Sequence, residues 1–459
     1  MTADALPRLA RLVGDDVTVP CLDGTDRVYL GLDAGASTAA LEAVAARVQE
    51  FLPWYSSVHR GAGHKSQVST QAYEDARHAM LRFAGRDPST DIAVLCRNTT
   101  EAINILAYRL DLAAGDTVVT TVAEHHANLL PWQRLAHERG VVVTYVECGA
   151  DGRFSPTDVA AAVEAAERPR LVAVTGATNV TGWMPDVDTI TAHAHRHGAM
   201  VLVDAAQLAP HRPLGRSTHE ATPDFLAWSG HKMYAPFGTG VLIGPRSTFA
   251  EGAPLLVGGG AVKLVDLDEV LWTEPPEREE AGSPNVIGAV ALHAAVDAYD
   301  AIGWDAIVAH EVALADRLRR GLDALDGVQL LGPRPGDPAI DARMLAVGTF
   351  AVEGLPHPLL AARLSAEYAI GVRHGCFCAH PYLVRLLGLS ADETARYRHD
   401  IVVGDRTNIP GAVRASASIS TTEDDIDRFL GAVAELAAGK PEPVPYAQDP
   451  ATGDYSPVV

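Results

Sequence analysis

Lysine is scarce in this 459-residue chain. Only Lys65, Lys232, Lys263 and Lys440 occur, and every other basic residue is arginine. Where charge alone matters arginine serves equally well, so each retained amine invites a chemical explanation. Cysteine is also sparse. Cys21, Cys96, Cys148, Cys376 and Cys378 are an odd number spread over a large chain, which argues against a disulfide framework. Cys96 and Cys148 fall in or beside apolar strands and read as core fillers. No apolar run is long enough to span a bilayer. The segment Met1–Asp16 mixes acids with arginines and lacks the layout of a signal peptide, so a cytoplasmic protein is expected. Positive charge is in deficit, with 37 Lys+Arg against 58 Asp+Glu and a net charge of -21. That field repels polyanions, so neither nucleic acid nor a membrane is an expected partner. Internal repeats and low-complexity tracts are absent.

The chain is 47% hydrophobic and 21% charged, an ordinary globular balance, and is long enough for two domains. From about residue 90 to 245, short apolar runs alternate with helical patterns. The strands expected are Ile92–Cys96, Thr117–Thr121, Val141–Val146, Leu171–Thr175, Met200–Asp204, Asp224–Trp228 and Gly240–Gly244, with helices such as Thr100–Leu110 and Val187–His197 between them. Nearly continuous apolar strands are those buried on both faces. The fold class is therefore α/β, with a mostly parallel seven-stranded sheet. Gly252–Pro284 reads as a long loop region, followed by a helix from Val286 through Ala301. The expected domains are an N-terminal segment (1–27), a large domain (28–300), a smaller C-terminal α+β domain (301–438) and an extended or disordered tail (439–459). The small domain ends in the amphipathic helix Thr422–Ala438.

In open α/β sheets, ligands collect at the carboxyl ends of the strands. Asp204 closes one apolar strand and is followed by Gln207; Ser229, His231 and Lys232 follow another. Thr99 and Thr100 open a helix directly after the Ile92–Cys96 strand, and His125 follows Thr117–Thr121. An amine, a carboxylate, an imidazole and a hydroxyl-bearing helix N-terminus are the groups a pyridoxal-phosphate (PLP) site needs. They supply, in turn, a Schiff-base lysine, a partner for the pyridine nitrogen, a cover for the ring and a phosphate cup. Taken singly each has an ordinary explanation: Asp204 as a turn cap, Lys232 as a solvated charge, Thr99-Thr100-Glu101 as a helix cap. Ordered at successive strand ends, they converge on one chemistry. His193, His195 and His197 have metal-like spacing, but they sit at a helix C-terminus, where polar and cationic groups suit the dipole, and no metal is expected.

With these residues in place, the sequence resembles the class V aminotransferase superfamily of fold-type I PLP enzymes, and within it the SUF-type cysteine desulfurase and selenocysteine lyase group. The resemblance runs from Val28 to Leu436. It is carried by Val58-His-Arg-Gly61, Thr99-Thr-Glu-Ala-Ile-Asn104, Glu124-His-His-Ala-Asn128, Asn179-Val-Thr-Gly182, Val203-Asp-Ala-Ala-Gln207, Ser229-Gly-His-Lys232, Ala281-Gly-Ser-Pro-Asn285, Arg373-His-Gly-Cys-Phe-Cys-Ala379 and Arg414-Ala-Ser416.

The resemblance implies that Lys232 carries PLP, Asp204 faces the pyridine nitrogen, Gln207 meets the ring hydroxyl and His125 stacks on the ring. Thr99, Thr100, Ser229 and His231 would hold the phosphate, with Ser283 reaching the phosphate of a twofold partner. Asn179 and Arg414 would bind the substrate carboxylate, Arg through its planar fork, and His59 and Arg373 would line the substrate pocket. Cys378 would be the nucleophile that takes sulfur or selenium from L-cysteine or L-selenocysteine as a persulfide, leaving L-alanine, with Arg373 favouring its thiolate. A homodimer and a sulfur-acceptor protein are the implied partners.

The family usually has His where Cys376 stands, and the Arg-x-Gly-Cys-Phe-Cys string also resembles the desulfurase domain of molybdenum-cofactor sulfurases. In an extended segment Cys376 would share a face with Cys378 and would resolve or relay a persulfide. The charged stretch Ala391–Arg406 lengthens the interval between Cys378 and Arg414. Two other readings stand beside the desulfurase: a C–S lyase, epimerase or transaminase with Cys378 incidental, and a catalytically silent sulfur-trafficking scaffold.

Overall fold

A computed structural model describes residues 8–59, 61–215 and 221–458. Its centre is a seven-stranded sheet made of β1 (Asp91–Cys96), β2 (Thr117–Thr121), β3 (Val142–Val146), β4 (Pro169–Thr175), β5 (Met200–Asp204), β6 (Phe225–Ser229) and β7 (Gly240–Pro245). The spatial order is β1-β7-β6-β5-β4-β2-β3. All pairings are parallel except those of β7, which runs antiparallel to both β1 and β6. The seven strands are those expected from the apolar runs, with ends shifted by at most two residues.

Alternation of side chains builds two cores from one sheet. Ala93, Val119, Val172, Val203, Leu226 and Val241 face one side, where α1 (Glu42–Phe51), α2 (His64–Phe83) and α5 (Val286–Ile302) cover them. Val94, Val118, Leu171, Leu202, Ala227 and Leu242 face the other, against α3 (Thr99–Arg109). Helix α4 (Val187–Arg196) carries the histidine cluster. There His195 pairs with Asp224 at 2.9 Å, and no metal-binding group occurs among the described residues.

The smaller unit is a four-stranded antiparallel sheet of β10 (Val328–Leu331), β11 (Val347–Val352), β12 (Arg373–Gly375) and β13 (Ala412–Ser416), in the order β10-β11-β13-β12. Its core is closed by α6 (Trp304–Asp323), α7 (His357–Tyr368) and α9 (Glu423–Ala437). A capping box of Thr422 with Asp425 starts α9, satisfying backbone donors that a helix end otherwise leaves bare. The charged stretch after Cys378 forms α8 (Ala391–Val403), opened by a Ser390–Glu393 capping box and stopped by Gly404 at φ 83°. Buried Glu311 on α6 ties the two units together. It pairs with His211 at 2.7 Å and with Arg212, both just beyond the end of β5.

Three segments differ from the sequence reading. Leu30 and Leu32, assigned to the large domain, lie in the core of the small unit, where Leu30–Gly31 pairs with Ile370–Gly371. The 252–284 region contains a hairpin of β8 (Val262–Val265) and β9 (Val270–Trp272). The tail is ordered as a second hairpin, β14 (Tyr446–Gln448) with β15 (Tyr455–Pro457). Backbone and side-chain bonds hold it down, among them Arg406 N–H to the Pro450 carbonyl at 3.0 Å and Gln448 Nε2 to the Thr407 carbonyl at 2.9 Å.

Candidate active site

A cavity of about 1020 Å³ opens at the carboxyl ends of β1, β2, β5 and β6, against the small unit. Lys232, Asp204, Gln207, His125, Thr99, Thr100, Ser229, His231, Asn179, Arg373, Arg414 and Cys378 all line it. His59 and Ser283 do not. His59 sits in the left-handed region at φ 66°, with its ring on Glu74 at 2.9 Å, and Ser283 is exposed on the loop ahead of α5.

The strand ends place the charged pair. Asp204 terminates β5 with 4% of its surface exposed, and its Oδ1 accepts from the Ala206 N–H at 2.9 Å. Lys232 ends the short 3₁₀ turn that follows β6, a turn pinned where the Thr38 N–H and hydroxyl donate to the His231 carbonyl at 2.9 and 3.0 Å. Burial drives the Lys232 amine down to about 8, against the pull of the Asp204 carboxylate in the other direction. Burial raises Asp204, which the Ala206 N–H and the Lys232 charge oppose. A buried amine beside a buried carboxylate is costly unless the site has a use for both.

Around this pair the other groups have defined settings. Burial, followed by the Lys232 charge, lowers His125 to about 4. It is therefore neutral near pH 7. Its Nδ1 accepts from the Ala127 N–H at 3.1 Å, which leaves the ring proton on Nε2. Next to it, buried Glu124 is raised to about 8 by desolvation while accepting from Thr121, Asn128 and the Thr175 N–H at 2.8 to 3.0 Å. This network, which the sequence reading did not single out, stiffens the His125 loop. Asn98 caps α3, and the Thr99 N–H and hydroxyl bond Ser229 Oγ at 2.8 and 2.7 Å. Helix start and lysine strand thus meet in one polar cup, the arrangement a phosphate requires. Gln207 is oriented by donating to the Gly35 carbonyl at 2.7 Å.

The small unit supplies the opposite wall. Arg414, 2% exposed, donates to the Asn179 carbonyl at 2.8 Å and pairs with Asp33 at 3.2 Å, and its Nε has no partner within the chain. Asn179 Nδ2 donates to the Phe377 carbonyl at 2.6 Å, while its Oδ1 is buried and unpartnered. Arg373 is half-exposed on Asp33 at 2.8 Å. The cysteine segment is not extended. Phe377 and Cys378 both adopt left-handed backbone, at φ 54° and 53°, and the Ala379 N–H donates to the Cys376 carbonyl at 2.9 Å, so the two cysteines stand on one tight turn. Cys378 is exposed to the cavity and Cys376 is half-buried.

Together the doubly wound sheet, the amine–carboxylate pair and the polar cup define a fold-type I PLP enzyme. The unpartnered buried Arg414 Nε, a donor, and Asn179 Oδ1, an acceptor, fit a ligand that carries both an anionic group and a hydrogen-bond donor, as an amino acid does. The comparisons with known proteins agree. A family model described as aminotransferase class-V matches residues 28–429. The chain is 35% identical to a probable cysteine desulfurase of Halobacterium salinarum, covering 90% of this chain and 92% of that one. The apo structure of a cysteine desulfurase from Thermococcus onnurineus NA1 superposes with a TM-score of 0.78 at 33% identity, covering 90% and 95% of the two chains. The S-sulfonic acid form of the cysteine desulfurase CsdA from Escherichia coli gives 0.74 at 31% identity, covering 89% and 94%. The chain belongs to the class-V aminotransferase family, in its PLP-dependent cysteine desulfurase branch.

Proposed function

We propose that the chain removes sulfur from L-cysteine, or selenium from L-selenocysteine, by passing it to Cys378, with L-alanine as the other product. The observation that carries this reading is the placement of the Cys378 thiol in the same cavity as Lys232, on a turn anchored to the large domain by Asn179. PLP, when bound, supplies the electron sink that labilises bonds at the substrate's α and β carbons.

Lys232 would hold the cofactor and afterwards move protons at Nζ, Asp204 would keep the pyridine nitrogen protonated, and His125 would cover the ring. Thr99, Thr100, Ser229 and His231 would take the phosphate, and Gln207 the ring hydroxyl. Arg414 would bind the substrate carboxylate through its fork, with Asn179 and Arg373 beside it. The Cys378 sulfur would attack the substrate sulfur: an S–S bond forms, the Cβ–S bond breaks, and the three-carbon residue takes up a proton and leaves as alanine. In the homodimer proposed here, His59 and Ser283 would act across a twofold axis, the setting in which their exclusion from this chain's own cavity is intelligible. A cytoplasmic location and a sulfur-acceptor protein complete the reading.

Cys378→Ser tests it. Sulfur abstraction needs a soft nucleophile, and a hydroxyl is hard and un-ionised at neutral pH. The variant is expected to keep its PLP absorbance and to form neither persulfide nor alanine from cysteine. Alanine made at an undiminished rate would transfer the assignment to a C–S lyase or transaminase.

A further inference from the structure

The cavity does not end at the cofactor groups. Past the Cys376–Cys378 turn it continues into a chamber walled by the loop after α8 and by the terminal hairpin, where Arg406, Thr452 and Tyr455 line it. His357 and His374 line the same side, their rings 5.4 Å apart. One nitrogen of each is engaged: His357 Nε2 on the Ile409 carbonyl at 3.0 Å, His374 Nε2 on Asp454 at 3.2 Å. The Nδ1 of each is buried with no partner. Burial lowers both imidazoles, His357 to about 4, so two neutral rings stand on this wall.

The two thiols share one tight left-handed turn but have different charged neighbours. Cys378 interacts electrostatically with Lys232 and Arg414, on the cofactor side. Cys376 interacts with Tyr397 on α8 and with Arg406, on the chamber side, and also with Cys378 itself. A thiol that lines the same cavity as the nucleophile, two residues from it on one turn and near Arg406, is placed to pass sulfur from Cys378 towards the chamber. Both walls of the chamber, the segment after α8 and the tail hairpin, lie outside the strand ends that carry the cofactor groups.

We propose that Cys376 is a second sulfur-carrying residue, taking sulfur from Cys378 and presenting it in this outer chamber to an acceptor. The inference rests on the desulfurase reading. The Cys376 thiolate attacks the outer sulfur of the Cys378 persulfide. The Cys378–sulfur bond breaks, Cys378 leaves as a thiolate, and the sulfur is now bonded to Cys376; no net oxidation or reduction occurs and the proton is exchanged between the two thiols. Attack on the inner sulfur would instead give a Cys376–Cys378 disulfide and release hydrosulfide.

The test uses PLP-loaded wild-type, C376S and C378S enzymes. Each is given one equivalent of L-cysteine and quenched with an alkylating agent at successive times. Fragmentation of the peptide spanning both cysteines then locates the added sulfur. In the wild type the sulfur is expected on Cys378 first and on Cys376 later. C376S is expected to hold it on Cys378 alone and to turn over several-fold more slowly with 2-mercaptoethanol as acceptor. C378S is expected to carry none. Sulfur that never leaves Cys378 in an alanine-producing wild type overturns the relay while leaving the desulfurase intact, and so does sulfur loaded directly onto Cys376 in C378S. A wild type that produces neither alanine nor a persulfide removes the desulfurase reading and the relay together.

Discussion

The backbone N–H of His126 donates to the carbonyl of Cys378 at 2.8 Å. The loop that carries the ring-facing His125 therefore also grips the turn that carries the nucleophile. A second clasp, Asn179 Nδ2 on the Phe377 carbonyl, holds the same turn from the β4 side. The thiol's position is thus set by the large domain, although the thiol belongs to the small one.

Asn179→Ala is expected to loosen the turn. Misplacing a reacting atom by about 1 Å costs on the order of 100-fold in rate. The expected signature is a kcat for alanine formation reduced by about that factor, beyond any rise in KM that its place beside the substrate carboxylate brings. A rise in KM with kcat unchanged would overturn the role of the clasp.

Lys232→Ala is expected to abolish turnover and the covalent hold on PLP. Borohydride reduction of the native enzyme followed by peptide mapping locates the pyridoxyl label. A label on Lys65, Lys263 or Lys440 contradicts the assignment.

The Lys232 amine, brought to about 8 by burial, makes the pH dependence of cofactor uptake specific. Only the neutral amine attacks an aldehyde, so apoenzyme reconstitution should accelerate as pH rises through about 8 and then level off, well below the range of an ordinary lysine. Asp204 favours the ammonium form, so Asp204→Asn should move the inflection to lower pH. The rate of absorbance growth after mixing apoenzyme with PLP at a series of pH values measures both.

Stability has its own focus at Glu311. Burial pushes this carboxyl up, but His211 and Arg212 outweigh it and the group titrates below the usual carboxylate range. Its contribution is therefore present above the unfolded-state pKa and is lost as pH falls through the folded one. Glu311→Ala leaves a partly buried arginine and imidazole without their partner and is expected to cost up to about 3 kcal/mol. Urea unfolding at pH 7 should show that loss, and it should shrink as the solution is acidified.

Sequence legibility followed burial. The seven sheet strands were visible because each is an apolar run covered on both faces, and Asp204, Ser229 and Lys232 were visible because they end such runs. The antiparallel sense of β7 was not, since apolar periodicity is blind to strand direction. Nor was the tail hairpin, whose polar, Pro-rich composition resembles disorder and whose anchoring bonds at Arg406 and Gln448 are made to distant backbone. The left-handed turn at Phe377 and Cys378 escaped because neither position carries the glycine that normally marks positive φ. Glu124 was quoted within its motif but given no role, because a buried, fully bonded carboxyl looks in sequence like any surface acid.

The reversed strand β7 has a consequence for the order in which the protein can assemble. It is the last strand of the sheet in the chain, yet it lies between β1, the first, and β6. The bond between Thr99 and Ser229 spans 130 residues; Thr99 follows β1 and Ser229 ends β6, two strands joined through β7, whose Gly240 pairs with both Cys96 and Ser229. A side chain at position 240 would come within 2.5 Å of the Asn98 backbone. Long-range pairings form late because their loop-closure entropy must be met first. The cup for the phosphate is consequently among the final features to close in folding, and a bound anion there stabilises the fully zipped sheet by mass action over every partly folded form.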